Sequence, residues 1–239
     1  MSLPRLLRFS LLTVMLVTLN VTASPQPEAA PRLLAIDVLL ETDTIMIGHA
    51  RQVNARLRES YPVGYALDAA HTPHITLVQR YIPESRLPEA KAAVARLLRS
   101  EKLSGLRLTA TGYIVSVWGP TALVMYRVEL TSELRRLEAA VDDAIQPFAA
   151  TGGTPAAFVR RPGEEIDDAT VGWVEEFIPK HSGEHFEPHV TLGLTLPEFG
   201  AKLKQEPFAP FTFHPSSLSI FQLGTVGTAQ KKLAGWPLQ

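Results

Sequence analysis

Two short segments of the chain repeat one another. Pro73-His74-Ile75-Thr76-Leu77 recurs as Pro188-His189-Val190-Thr191-Leu192, with Ile against Val the only difference. A match of this kind around two of the seven histidines is expected by coincidence in roughly one sequence in several hundred of ordinary composition. In an extended strand, side chains alternate between faces. His74 and Thr76 therefore share one face, with Ile75 and Leu77 on the other. His189 and Thr191 likewise share a face, with Val190, Leu192 and Leu194 opposite. Each copy would bury its aliphatic side chains and present an imidazole beside a hydroxyl. Two such strands facing one cleft would collect two imidazoles and two hydroxyls. Histidine titrates near neutrality, so one copy can take a proton while the other gives one. Threonine hydroxyls can donate hydrogen bonds to the non-bridging oxygens of a phosphate. The plainer alternative is a repeated packing strand with no chemistry.

The remaining histidines suggest a competing arrangement. His71 with His74, and His185 with His189, could be read as four metal ligands. Pro73 and Pro188 disfavour the helices that would converge those rings. Neither motif contains Asp or Glu, and the chain has no cysteine, so no metal and no cofactor is expected. His181-Ser182-Gly183-Glu184-His185-Phe186 reads as a polar loop at the rim of the cleft, with substrate contact and plain solvation equally open. His49 and His214 read as surface or structural residues. Arg160-Arg161 could meet a phosphate, but a solvated pair is the simpler role. Trp173, Phe177 and Tyr81 could stack a base, although strand aromatics are more often core. Glu164-Glu165 and Asp167-Asp168 read as an exposed acidic loop.

His-x-Thr-apolar, present twice in an α+β chain, resembles the 2H phosphoesterase superfamily, which includes RNA 2′,3′-cyclic phosphodiesterases and 2′-5′ RNA ligase-like proteins. The resemblance runs from about Arg32 to the C-terminus, and its specificity lies in the pairing of the two motifs. It implies two pseudo-symmetric lobes of antiparallel sheet plus helices around a central cleft, each lobe giving one motif strand. It also implies metal-independent catalysis by His74 and His189, with Thr76 and Thr191 binding the substrate phosphate. The expected activity is hydrolysis of a cyclic or internal phosphodiester, such as a 2′,3′-cyclic nucleotide or an RNA end. The expected partners are a small nucleotide substrate and RNA ends, met by a monomer. A secreted binding module for phosphate ligands or RNA that keeps the cleft without turnover, or a histidine-ligated metal hydrolase, is the alternative.

The rest of the chain bears on what could hold these motifs. Its 239 residues, 46% hydrophobic and 20% charged, suit one globular domain. A formal net charge of −1 gives no basic field for holding a long nucleic acid. Arg5 and Arg8, the apolar run Leu11–Val21 and the small residues ending at Ala23 have the three parts of a secretory signal over residues 1–23. Export to the periplasm or medium is expected, with no stable membrane contact after cleavage. Losing two arginines leaves 21 − 24 = −3. Residues 24–31 form a proline-rich linker, and 32–239 the bilobal domain. Strands are expected over 33–40, 74–81, 106–117, 122–130, 170–178, 189–194, 208–213, 217–223 and 231–238, and helices over 44–59, 88–100, 197–205 and from Thr131. Helices interrupting hairpins argue for α+β with antiparallel sheets.

Overall fold

Leu33–Thr42 is apolar at nearly every position, and such a strand has to be covered on both faces. It forms β1, buried throughout from Leu34 to Leu40. In the computed structural model, which describes residues 31–68, 71–101, 103 and 105–238, β1 leads into α1 (Thr44–Ser60), β2 (His74–Pro83), α2 (Leu87–Ser100), β3 (Leu108–Trp118), β4 (Thr121–Val128) and α3 (Ser132–Ile145). There follow α4 (Asp168–His181), β5 (His189–Thr195), α5 (Pro197–Gln205), β6 (Phe211–Phe213), β7 (Pro215–Leu223) and β8 (Ala229–Pro237). The expected signal over 1–23 and nearly all of the linker over 24–31 lie outside the described residues. Among the described residues, no helix is long and apolar enough to cross a membrane.

The strands make two four-stranded antiparallel sheets, ordered β2-β1-β7-β8 and β5-β4-β3-β6. The fold is α+β with two sheet lobes, and β2 and β5 occupy equivalent edges. Helix starts follow their sequence signals: Asp43 accepts from Met46 N at the head of α1, and Thr131 accepts from Leu134 N at the head of α3. Leu134, Leu137, Val141 and Ile145 are the buried stripe of α3.

Residues 170–178 correct the sequence expectation. They form α4 rather than a strand. The β-branched and aromatic residues at Thr170, Val171, Trp173 and Val174 favour strands, but Asp167 accepts from Thr170 N and starts a helix. Its buried residues, Thr170, Val174 and Phe177, then fall at helical spacing. Part of the acidic stretch read as a loop is therefore the cap and first turn of α4.

The helices cross between lobes. α1 packs chiefly against β5, while α3 packs against both α2 and β2. Asn54 of α1 is buried and donates to the Leu192 carbonyl of β5 at 2.8 Å and to the Tyr65 carbonyl at 3.1 Å, while accepting from Leu67 N. On the other side Arg80 of β2 donates to Asp142 of α3 at 2.6 Å. One continuous core joins both sheets, including Ile36, Leu77, Tyr126, Leu137, Val190 and Leu218.

Both motif strands carry a β-bulge at the same place. On β2, Leu39 pairs with Thr76 but Val38 with Val78, leaving Leu77 extra. On β5, Met125 pairs with Thr191 but Val124 with Gly193, leaving Leu192 extra. An extra residue flips the phase of everything beyond it. Gln79 thus joins the face of His74 and Thr76, and Leu194 joins that of His189 and Thr191. The expectation that Leu194 lies opposite His189 fails for this reason: Leu194 is partly exposed and pairs with Leu123. The bulge on β5 needs Gly193, whose φ is 144° and whose missing Cβ would lie 2.7 Å from Asn54 Nδ2.

Candidate active site

β2 and β5 are edges of different sheets, yet they lie against each other. This brings the two histidines near enough for the charge on His74 to act on His189. The two imidazoles are oriented alike. Nδ1 of His74 lies 2.7 Å from the carbonyl of Thr72, and Nδ1 of His189 lies 2.8 Å from that of Glu187. A carbonyl can only accept, so each Nδ1 carries the hydrogen and each Nε2 is the atom free to exchange protons.

Beyond the imidazoles, the halves differ. Asp37 sits at the middle of β1, fully buried, opposite Gln79. Its Oδ2 lies 3.9 Å from His74 Nε2 and accepts from Thr76 Oγ1 at 2.8 Å and from Gln79 Nε2 at 3.0 Å. Its Oδ1 is buried with no partner among the described residues. Burial raises the Asp37 carboxyl above its ordinary value, against the opposing pull of His74, Gln79 and Thr76. Register places Leu123 at the corresponding position beside β5, so His189 has no such carboxylate. The residues directly across from the histidines also differ: Glu41 from His74, Arg127 from His189. Glu41 accepts from Lys232 and Ser219, and Arg127 pairs with Glu187.

His189 is held below its ordinary value, first by burial and then by the charge on His74. His181 is lowered too, first by burial and then by the charge on His189. For a histidine with a depressed folded pKa, the neutral form is the one the fold favours. Its stability contribution is complete above the unfolded value, near 6.5, and is lost as pH falls through the folded one. We expect the protein to lose stability on acidification below pH 6.5, and His189→Leu to shed part of that loss. Thermal melts of both proteins from pH 7.5 to pH 4.5 measure this; parallel curves would contradict it.

The rim loop is ordered differently from its expected form. His181 closes α4 and stacks on Trp173 at 4.2 Å, tilted 25°. Trp173 donates its indole N–H to Gln79 Oε1 at 3.1 Å. His71 is elsewhere, stacked on Tyr65 and beside Asp68. His49 stacks on Phe211, and His214 Nδ1 meets the Leu106 carbonyl. Phe177 and Tyr81 are core, whereas Trp173 is 36% exposed. Among the described residues, no three His, Asp or Glu side chains are grouped so as to hold a metal ion.

Residues 48–224 match the sequence profile of the 2′-5′ RNA ligase superfamily. The chain belongs to that superfamily. This is the 2H phosphoesterase group that the paired motif resembles. No curated protein sequence matches the chain. Among solved structures, TT0787 of Thermus thermophilus is similar with a TM-score of 0.51 and 14% identity, over 86% of this chain and 98% of its own. LigT of E. coli complexed with ATP gives 0.44 and 12%, over 87% and 99%. Usb1 of Kluyveromyces marxianus gives 0.40 and 10%, over 87% and 98%. The superfamily match spans both motif strands. It also spans Gln79, to which the sequence assigned no site role, and Trp173, which it weighed as a base-stacking residue but read as core, and does not span Asp37. Asp37 had one available signal: it is the one charge within the apolar run Leu33–Leu40, where an unneeded charge is costly.

Proposed function

We propose that the chain is an exported, metal-independent phosphodiesterase acting on a cyclic or internal phosphodiester, a 2′,3′-cyclic nucleotide or RNA end, as a monomer. The observation that carries the reading is the pair of Nδ1-anchored imidazoles on two equivalent strands that lie against each other. His189, depressed by burial, is neutral near pH 7 and serves as general base. Its Nε2 takes a proton from water as the water oxygen forms its bond to phosphorus. His74 carries its second proton towards Asp37, and its Nε2 delivers that proton to the departing ester oxygen as the P–O bond breaks. Each proton transfer is worth about 10²–10⁴-fold. One neutral and one charged imidazole are then regenerated by exchange with solvent.

The two threonines differ in readiness. Thr76 already donates its only proton to Asp37. Among the described residues nothing holds the Thr191 hydroxyl. Thr191 is free to meet a phosphoryl oxygen at once, whereas Thr76 has to leave Asp37 first. Thr191→Val is expected to lower kcat/KM about 10-fold or more, and Thr76→Val by less. Initial rates on 2′,3′-cyclic AMP, with and without EDTA, test this and the reading together. Equal losses would break the asymmetry between the threonines. Abolition by EDTA would transfer the chemistry to the histidine-metal alternative. Binding of the nucleotide without any turnover would leave a binding module.

Export rests on the pattern over residues 1–23. N-terminal sequencing of protein from its source cell should find Ser24 first; a soluble product that keeps Met1 contradicts export.

A further inference from the structure

Among the described residues six large apolar side chains are exposed, and two of them are neighbouring tryptophans. Trp118 is 44% exposed, Trp173 36% and Val226 56%. The two indoles stand 6.4 Å apart between ring centroids, tilted 56° to one another. They come from different lobes. Trp118 ends β3 at the turn into β4, opposite Thr121. The register puts it on the same face as Ser116, Leu123, Met125 and Arg127, which is the face of His189 and Thr191. Trp173 rides on α4, which is fastened to β2 by the bond from Tyr81 Oη to the Val171 carbonyl at 2.9 Å. The unbroken sequence Trp173–Gln79–Asp37–Thr76 then ties it to the His74 half. The two indoles therefore join the two halves of the proposed site.

Its hydrogen-bonding capacity is already used. Trp118 Nε1 donates to Ser116 Oγ at 3.1 Å, and Trp173 Nε1 donates to Gln79. An indole has no other polar atom. One face of Trp173 is covered by His181, which braces the ring. What remains for a ligand is aromatic surface without donors or acceptors. Solvent-exposed tryptophan costs hydration free energy, and two of them beside a polar groove match a ligand with a flat apolar part and an anionic part.

We propose that Trp118 and Trp173 form a stacking platform for the nucleobase of the phosphodiester held at His74 and His189, selecting it by ring area and not by its hydrogen-bonding edge. This rests on the function proposed above and narrows its substrates to diesters that carry an aromatic base. Stacking of a base on an aromatic side chain is worth about 1–3 kcal/mol, or roughly 5- to 150-fold in affinity. Every base has a stacking face, so discrimination among the four should be weak, with purines ahead of pyrimidines because they cover more of the platform.

The test compares kcat/KM for the 2′,3′-cyclic phosphates of adenosine, guanosine, cytidine and uridine with that for ribose 2′,3′-cyclic phosphate, which has no base. Wild-type protein should favour the nucleotides at least 10-fold over the baseless diester, mainly through KM, with purines severalfold above pyrimidines. Trp118→Ala should collapse the ratio of nucleotide to baseless substrate towards one, and Trp118→Phe should restore much of it. A ratio unchanged in Trp118→Ala, or a wild type indifferent to the base, overturns the platform. A strong choice between adenosine and guanosine overturns selection by area. If wild type hydrolyses none of the five, the phosphodiesterase reading fails and binding decides the platform. Adenosine 3′-monophosphate should quench tryptophan fluorescence where ribose 3-phosphate does not, and Trp118→Ala should weaken that binding at least 5-fold. Absence of base-dependent quenching rejects the platform as well.

Discussion

His189→Ala and His74→Ala should each remove about 10²–10⁴-fold of kcat on a 2′,3′-cyclic nucleotide, and the double variant should lose little more than the worse single one. The size follows from deleting one proton transfer. The failure to add follows from the two groups acting as a unit, since neither transfer completes hydrolysis alone. The losses should also differ in their pH dependence. Wild type should show a bell-shaped kcat/KM profile whose acid limb lies below pH 6.5, because His189 must be neutral and its folded value is depressed. In His189→Ala the acid limb should vanish from the residual rate, leaving the alkaline one. In His74→Ala the alkaline limb should vanish instead. Initial rates from pH 4.5 to pH 9 decide the matter. The opposite pairing of limbs with variants would exchange the roles, and full activity in either variant would end the two-histidine proposal.

Asp37→Asn should lower kcat/KM about 100-fold while leaving the protein at least as stable near neutral pH. The two effects separate because Asp37 serves His74 at a cost to the fold. A carboxyl whose folded pKa is raised contributes its stability below the unfolded value, here 3.8, and loses it as pH rises through the folded value. Near pH 7 this raised, half-satisfied carboxyl is thus a burden. Asparagine is nearly the same size, and its oxygen can still accept from Thr76 and Gln79. What it cannot do is offer a negative charge 3.9 Å from His74 Nε2. Melting temperature and kcat/KM measured on one preparation check both halves. A drop in activity that merely follows a drop in melting temperature would make Asp37 a packing residue.

The legible part of this chain was the part written in short-range pattern. His-x-Thr placed imidazole and hydroxyl on one face because period-two alternation holds across three residues. It stops holding one residue later, at the bulges of Leu77 and Leu192, and there the sequence misplaces Leu194 and overlooks Gln79. A bulge is a property of two paired strands: β5 carried one local sign of it, Gly193, and β2 carried none. The same limit hid α4. Thr170, Val171, Trp173, Val174, Phe177 and Ile178 each favour a strand, and the cap at Asp167 with the core facing Val174 and Phe177 makes the segment a helix. Without that helix Trp173 stays a strand aromatic, and its link through Gln79 to Asp37 cannot be seen. The superfamily itself was legible because it is marked by the one feature that needs no tertiary information, the repetition of the motif.

The exchange of helices between lobes bears on how two histidines with unlike surroundings arise from a repeat. α1 leaves β1 and lies under β5, and α3 leaves β4 and lies under β2. A half of this kind has no helix of its own beneath its motif strand and can complete itself only against another half. Were the two halves separate and identical, they would meet as a symmetric pair, and symmetry would give both imidazoles the same neighbours. Two equal histidines have no reason to divide into donor and acceptor. Joined in one chain, the halves can diverge while still clasping one another, with Asp37 on one side where Leu123 stands on the other, and Glu41 where the other has Arg127. Covalent fusion thus preserves the architecture of a homodimer while releasing its active site from the equality a homodimer enforces.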